Sequence, residues 1–101
     1  MEDNIIVEIE ADIADLVPGF LENRKKNIEE IEGYLISKDF EQITSIAHKI
    51  KGSSRLYGFQ ELADISSNLE QSGKDKNFDK IIKYFEDLKN NFARIKVVIK
   101  P

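Results

Sequence analysis

Apolar residues recur every three or four positions along this 101-residue chain from about residue 11 onward. This is the spacing of amphipathic helices that each turn one face toward a shared core. The connections between the periodic segments are short, which favours antiparallel neighbours. The pattern therefore predicts an all-α fold, an antiparallel four-helix bundle preceded by a short extra N-terminal helix.

Interruptions of the pattern, which we take as helix boundaries, lie at Val17-Pro18, Asp39, Gly58, Ser72-Gly73 and Asn77. Asp39 is followed three residues later by Gln42, which is the form of a capping box, and Asn77 offers a similar cap. Glycine takes left-handed dihedrals without a Cβ clash, so Gly58 and Gly73 are expected to end helices. Each boundary thus has a side chain suited to it.

The residues expected in the core lie in phase on the predicted helices. They are Ile13, Leu16, Val17, Phe20, Leu21, Ile28, Ile31, Leu35, Ile43, Ile46, Ala47, Ile50, Ser54, Leu62, Ile65, Ser66, Leu69, Ile81, Tyr84 or Phe85, Leu88, Phe92 and Ile95. Residues 4–10, NIIVEIE, alternate like a strand, but an isolated strand is unstable, so residues 1–10 are expected to form an irregular arm. We expect one domain over residues 1–101, with the bundle over about 11–99.

Composition excludes several classes of protein. The chain has no cysteine and one histidine, which rules out disulfides and leaves too few ligands for an ordinary zinc site, so we expect no metal or cofactor of its own. A net charge of -4 argues against wholesale binding to nucleic acid or anionic lipid. No apolar run reaches the roughly 18 residues of a membrane span. We expect a cytoplasmic, monomeric and, given its initial methionine and length, free-standing protein.

The histidine, His48, lies on a helix flank beside the expected core stripe. Positions three and four residues away are its neighbours: Lys51 and Gly52 on one side, Thr44 and Ser45 on the other. Glycine inside a helix costs about 1 kcal/mol relative to alanine. Gly52 therefore serves either close packing of another helix or open access to His48, and its place beside the histidine favours access.

A neutral imidazole has one nitrogen lone pair free to attack, while a hydrogen bond can orient the other nitrogen. Attack by His48 on a phosphoryl group would bring anionic oxygens near Lys51, whose ammonium group stabilises them. The residue types around His48 thus suit a phosphoryl acceptor. They assign no partner to the second imidazole nitrogen.

The stretch AHKIKGSSRLYGFQEL, residues 47–62, resembles the signature of the histidine-containing phosphotransfer (Hpt) domain. The matching positions are Ala47, His48, Lys51, Gly52, Ser53, Ser54, Gly58 and Leu62. The signal is specific because it fixes several residue types at set offsets on one helix. The resemblance extends over the whole chain, since the family domain is about this size and is a four-helix bundle with a short N-terminal helix.

The resemblance implies a relay in which His48 accepts a phosphoryl group from a receiver-domain aspartate and passes it to another response regulator. Lys51 then neutralises the phosphate, Gly52 clears the approach, and Ser53 and Ser54 are mainly structural. The implied partners are receiver domains, including that of a hybrid sensor kinase, which supply the magnesium ion. The docking surface is expected to include Phe20, Asn23, Arg24, Thr44, Ser45, Arg55 and Tyr57, with Phe20 alternatively in the core and Arg24 an ordinary surface charge.

Three other classes compete with this interpretation. A helix-turn-helix DNA-binding domain could place Lys49, Lys51 and Arg55 near DNA, but the following segment GFQELADISSNLEQ has no basic residue to meet phosphates. A purely structural helical adaptor would keep His48 by chance. A histidine-kinase dimerisation domain typically has an acidic residue after its histidine, where this chain has Lys49. With no glycine-rich nucleotide loop, we expect no autonomous kinase activity.

Overall fold

The computed structural model describes residues 3–101. Four α-helices make up most of it: α1 (Val17–Ser37), α2 (Phe40–Leu56), α3 (Gln60–Lys74) and α4 (Phe78–Arg94). A short 3-10 helix, Ala11–Leu16, precedes α1. The turns between the α-helices span residues 38–39, 57–59 and 75–77, so consecutive helices run antiparallel. The predicted four-helix bundle with a short extra N-terminal helix is confirmed.

Capping side chains set the helix starts that the sequence predicts. The Asp39 carboxylate accepts a hydrogen bond of 3.2 Å from the amide N–H of Gln42, and Asn77 accepts one of 3.2 Å from Lys80. Pro18 lies in the first turn of α1, where no helical hydrogen bond needs its missing N–H. Gly58 follows the end of α2 with φ 85°, the left-handed conformation expected of it.

The expected end of the third long helix at Ser72-Gly73 is wrong. The helix α3 continues through both residues to Lys74, and the left-handed residue after it is Lys76, with φ 53°. The Ser72 hydroxyl donates to the Leu69 carbonyl at 2.8 Å within the helix. Gly73 is buried against α2, where a Cβ would lie 2.2 Å from Oγ1 of Thr44. Glycine is therefore needed here for close helix packing and not for a turn.

The expectation of an irregular arm over residues 1–10 needs correction from Ile5 onward, while Met1 and Glu2 lie outside the described residues. Ile5–Glu10 forms a strand, β1, that pairs in parallel with Ile95–Lys100, β2, so that α4 ends at Arg94. The register pairs Ile5 with Ile95 and Glu10 with Lys100. An isolated strand is unstable, but here the C-terminal sequence IKVVIK supplies a partner. Ile95 begins this strand and does not continue the last helix.

The core fills the space between the helices and reaches under the strand pair. Its buried members are Ile9, Val17, Phe20, Ile28, Ile31, Ile43, Ile46, Ala47, Ile50, Phe59, Leu62, Leu69, Ile81, Phe85 and Leu88. Of the two candidates Tyr84 and Phe85, it is Phe85 that is buried. Leu16, expected on the core stripe, is exposed where the 3-10 helix meets α1. Strand β1 contributes Ile9, so the strand pair extends the core of the bundle.

Candidate functional site

His48 lies near the middle of α2, and its side chain is 67% exposed. Its position follows from the residues beside it, since Ala47 and Ile50 face the core and are buried. The imidazole is therefore held on the flank of the bundle, where another protein can reach it. This is the placement that the sequence predicts.

A buried carboxylate on the neighbouring helix α3 holds the histidine. Nδ1 of His48 lies 3.0 Å from Oε2 of Glu70, whose side chain is only 8% exposed. The same carboxylate receives the Lys51 ammonium on Oε1 at 2.6 Å, and the Lys74 ammonium lies 3.4 Å from Oε2. Glu70 thus joins the histidine and two lysines into one cluster.

The Glu70 carboxylate fixes which imidazole nitrogen is reactive. An ionised carboxylate only accepts hydrogen bonds, so Nδ1 of a neutral His48 carries the proton and donates it to Glu70. Nε2 is then the nitrogen with the free lone pair. Because the side chain is largely exposed, that lone pair is available to an electrophile on a docking partner.

Two opposing effects set the pKa of Glu70. Burial by itself raises the pKa of the carboxyl group, but the hydrogen bonds and positive charge from Lys51 and His48 outweigh burial and lower it below its ordinary value of 4.5. Glu70 is therefore ionised at neutral pH. Its negative charge is what keeps the hydrogen-bonded nitrogen of His48 protonated.

The lowered pKa predicts a pH-dependent contribution of Glu70 to stability. A carboxyl group whose folded-state pKa is lowered stabilises the fold above its unfolded-state pKa, and the stabilisation is lost as pH falls through the folded-state pKa. We expect wild type to exceed Glu70→Gln in unfolding free energy by about 1 kcal/mol at pH 6. Urea unfolding at a series of pH values should show this difference shrinking below pH 4.5. A difference that stays constant down to pH 3 would contradict the assignment.

Gly52 faces open space next to His48 on α2. A Cβ built on Gly52 would have no heavy atom within 4 Å among the described residues outside its own helix backbone and its chain neighbours. Of the two uses considered for this glycine, close packing of another helix is therefore excluded within residues 3–101. The opposite holds for Gly73, which packs against Thr44 one helical turn from His48.

The residues predicted to surround His48 divide by exposure. Ser45, Asn23 and Arg55 are exposed, whereas Thr44 and Tyr57 are partly buried. The Thr44 hydroxyl donates to the Phe40 carbonyl at 2.7 Å, as expected of a threonine inside a helix. Thr44 and Ser45 lie one turn before His48 on α2, Arg55 and Tyr57 lie toward the end of that helix, and Asn23 lies on α1.

Phe20 does not belong to this surface. Its ring is buried, stacked on Phe59 at a centroid distance of 4.6 Å and in edge contact with Tyr57 at 5.0 Å. Helical periodicity placed it on the core stripe of α1, and that alternative is the correct one. Phe20 instead supports Tyr57, which lies at the end of α2.

Arg24 links two helices of the bundle. Its guanidinium group lies over the Phe20 ring and donates to the Ser53 hydroxyl and, at 2.9 Å, to Asn27. Partial burial lowers its pKa, although an arginine stays charged at neutral pH. Arg24 is therefore a structural link between α1 and α2 and not an ordinary surface charge, and its part in docking stays a prediction. The Ser53 hydroxyl also donates back to the Lys49 carbonyl at 2.9 Å, as expected for a structural serine.

Glu70 and Lys74 were missed by the sequence reasoning. Glu70 lies in phase with Ala63, Ser66 and Gly73 on the buried face of α3. An acidic residue among small buried residues needs a partner, and this feature of the sequence could have identified Glu70. Lys74 follows one helical turn later, at the spacing of a helical ion pair. Leu56, an exposed apolar residue on the same flank of α2 as Gly52, was also left out of the predicted docking set.

Over residues 3–101, no three side chains of His, Cys, Asp or Glu are grouped so as to hold a metal ion. Within the same range, none of the helices is both long enough and apolar enough to cross a bilayer.

Comparison with known proteins agrees with this geometry. The family model of the Hpt domain matches residues 15–96, which include α2 and the His48 cluster. The phosphorelay intermediate protein YPD1 of Candida albicans is 31% identical over 74 residues, which is 73% of this chain. The chain spans about 39% of the length of that relative. From the family match over most of its length, the chain belongs to the Hpt domain family.

Proposed function

We propose that this protein is a phosphorelay intermediate in which His48 receives a phosphoryl group from the aspartate of a receiver domain and passes it to another response regulator. The observation that carries the proposal is the hydrogen bond between Nδ1 of His48 and the buried Glu70 carboxylate. It leaves Nε2 as a nucleophile on an exposed surface. Membership of the Hpt family and the similarity to a phosphorelay intermediate protein support it.

In the proposed forward step, the Nε2 lone pair forms a bond to phosphorus while the bond between phosphorus and the aspartyl oxygen breaks. The aspartate leaves as a carboxylate, and the ring becomes a phosphoimidazolium that keeps its Nδ1 proton. Glu70, already bonded to that N–H, balances the new positive charge. The second transfer reverses these bond changes on another receiver. The receiver domain supplies magnesium in both steps.

Lys51 and Gly52 are assigned supporting roles in this proposal. Lys51 is held by Glu70 at 2.6 Å, so its charge stands next to His48 before any phosphoryl group arrives. Such a preorganised charge stabilises developing negative charge on the phosphoryl oxygens without a large rearrangement. Gly52 leaves the space beside the imidazole open to the partner. Exposed Ser45, Asn23 and Arg55 remain in the proposed docking surface.

The structure makes the DNA-binding alternative less favourable. Lys51, one of the three basic residues on which it depended, is paired with Glu70. The exposed side chains of α3 include Glu61 and Asp64, whose charge repels phosphates. We accordingly propose a monomeric phosphocarrier that has no kinase activity of its own and binds receiver domains in preference to nucleic acid.

Incubation with phosphorylated receiver domains tests the relay. We expect radiolabel to move from a loaded receiver to the wild-type chain as an acid-labile, alkali-stable phosphohistidine. His48→Gln should fold normally, because the side chain is exposed, and should acquire no label. Label that persists on His48→Gln, or a folded wild-type chain that takes label from no receiver in its host, would contradict the proposal.

Gly52→Ala separates stability from transfer. The added Cβ meets open space, so we expect the helix to gain about 1 kcal/mol of stability. The same methyl group lies beside the imidazole and should displace the docked partner slightly. Because transfer depends on exact positioning, we expect the transfer rate to fall roughly tenfold. Gly33→Ala is the matched control, because Gly33 lies on α1 with equally open surroundings. Urea unfolding and transfer kinetics on both variants check this, and equal transfer rates would exclude the access role.

A further inference from the structure

The strand pair leaves one edge of β1 unpaired. Within residues 3–101 the sheet has only two strands, β1 and β2, so each strand has one edge without a partner. Such an edge presents backbone N–H and C=O groups ready to pair with another chain. Ile6 on β1 is also 55% exposed, an apolar side chain that an added strand would cover.

A groove of about 490 Å³ runs along this edge. Its lining consists of Ile5, Ile6, Val7 and Glu8 of β1, the segment from Gly58 to Leu62 around the start of α3, Asn91 of α4 and Ile95 of β2. Four consecutive residues of β1 line it, although a strand face presents only alternate residues. The groove therefore follows the backbone edge of β1.

One polar side chain that is largely buried also lines the groove. Asn91 lines it and is 5% exposed. An amide offers both donors and an acceptor, which is what an extended backbone requires. The helix α3 begins at Gln60, and its N-cap residue Phe59 provides no side-chain cap, so N–H groups of the first turn have no acceptor from that residue.

The charge of the groove identifies the complementary ligand. Its charged lining residues are Glu8 and Glu61, with no lysine or arginine among them. The strand that β1 already binds, β2, is apolar apart from Lys96 and Lys100, and Lys100 lies 3.3 Å from Glu10 and 3.8 Å from Glu8. The acidic strand β1 thus pairs with a strand of basic and apolar residues on its occupied edge.

We propose that the free edge of β1 is a docking site for an extended segment of a partner protein that is largely apolar and carries lysine or arginine residues. The segment adds a third strand to the sheet, places its apolar side chains in the groove and brings its cations to Glu8 and Glu61. The site is separate from the phosphoacceptor, because Leu56 at the end of α2 lies about 12 Å along the helix from His48 at the helical rise per residue, and Gly58 follows that end.

Titration of the full 101-residue chain with the peptide Ac-IKVVIK-NH2 tests this site by amide NMR. We expect saturable shifts confined to residues 5–8 and 58–62, with the β1–β2 pairing retained. The charge-reversed peptide Ac-IEVVIE-NH2 should bind at least about fivefold more weakly. Absence of saturable shifts at millimolar peptide, equal binding of both peptides, or displacement of β2 by the peptide would each overturn the proposal.

Two variants complete the test. Glu61→Lys should weaken Ac-IKVVIK-NH2 and restore binding of Ac-IEVVIE-NH2, since Glu61 is exposed and its replacement leaves the β1–β2 ion pairs intact. Unchanged preference in Glu61→Lys would count against the proposed charge recognition. His48→Gln should bind the peptide as wild type does, so failure at this edge and failure of the phosphorelay role are told apart.

Discussion

Replacing Glu70 with alanine is expected to slow phosphoryl transfer to His48 roughly tenfold to a hundredfold, the usual cost of losing a group that orients a reactive histidine. The variant loses the acceptor for the Nδ1 proton, so the proton redistributes between the two nitrogens and less Nε2 lone pair is available. It also releases Lys51 and Lys74 from their common anchor. Single-turnover transfer from a phosphorylated receiver measures the rate.

Imidazole 15N chemical shifts separate this orienting role from a general loss of structure. Wild type should show the Nδ1–H tautomer of neutral His48, and Glu70→Ala should show a mixture. Glu70→Gln is the matched control: its carbonyl oxygen still accepts from Nδ1, so the tautomer should persist, while the Lys51 ion pair is lost. Wild-type transfer rates in Glu70→Ala, with the tautomer unchanged, would contradict the assignment.

Gly73→Ala should destabilise the fold by about 2 kcal/mol, since overpacking by up to about 3 kcal/mol exceeds the gain of about 1 kcal/mol from better helix propensity. The new methyl group would lie 2.2 Å from Oγ1 and 3.3 Å from Cβ of Thr44. Rotation of the threonine relieves only the first contact. Urea unfolding measures the loss.

Gly73→Ala should also slow phosphoryl transfer, because the contact that it disturbs between α2 and α3 lies next to the contact that orients His48. Thr44 meets Gly73 one turn away from the place where His48 meets Glu70. Moving α3 outward at Gly73 therefore lengthens the hydrogen bond that orients the histidine. In a double-mutant cycle, Thr44→Ala should reduce the cost of Gly73→Ala by at least half. Additive costs would show that the two residues do not clash.

Most of the helices and core residues could be predicted from helical periodicity, because each helix buries one continuous stripe of residues. Periodicity placed Ile31, Ile43 and Leu88 correctly, and capping chemistry located the starts of α2 and α4. Periodicity did not predict the two strands at the chain ends. Ile5–Glu10 pairs with Ile95–Lys100, which lies at the other end of the sequence, and no local pattern connects the two segments.

The site was predictable to the extent that it lies on one helix. His48, Lys51 and Gly52 are related by fixed helical offsets, so their proximity follows from sequence alone. Glu70 comes from another helix, and its approach to His48 depends on the packing of α3 against α2. Gly73 shows the same limit, because its local sequence is equally consistent with a helix end and with a close interhelical contact.

The position of the phosphoryl group on the ring tests the account most directly. The chain, loaded from a phosphorylated receiver and labelled with 15N in its one histidine, should show phosphorus coupled to Nε2 of His48 and a proton retained on Nδ1. A phosphoryl group on Nδ1, the nitrogen that faces Glu70 at 3.0 Å, or on any residue other than His48, would contradict it.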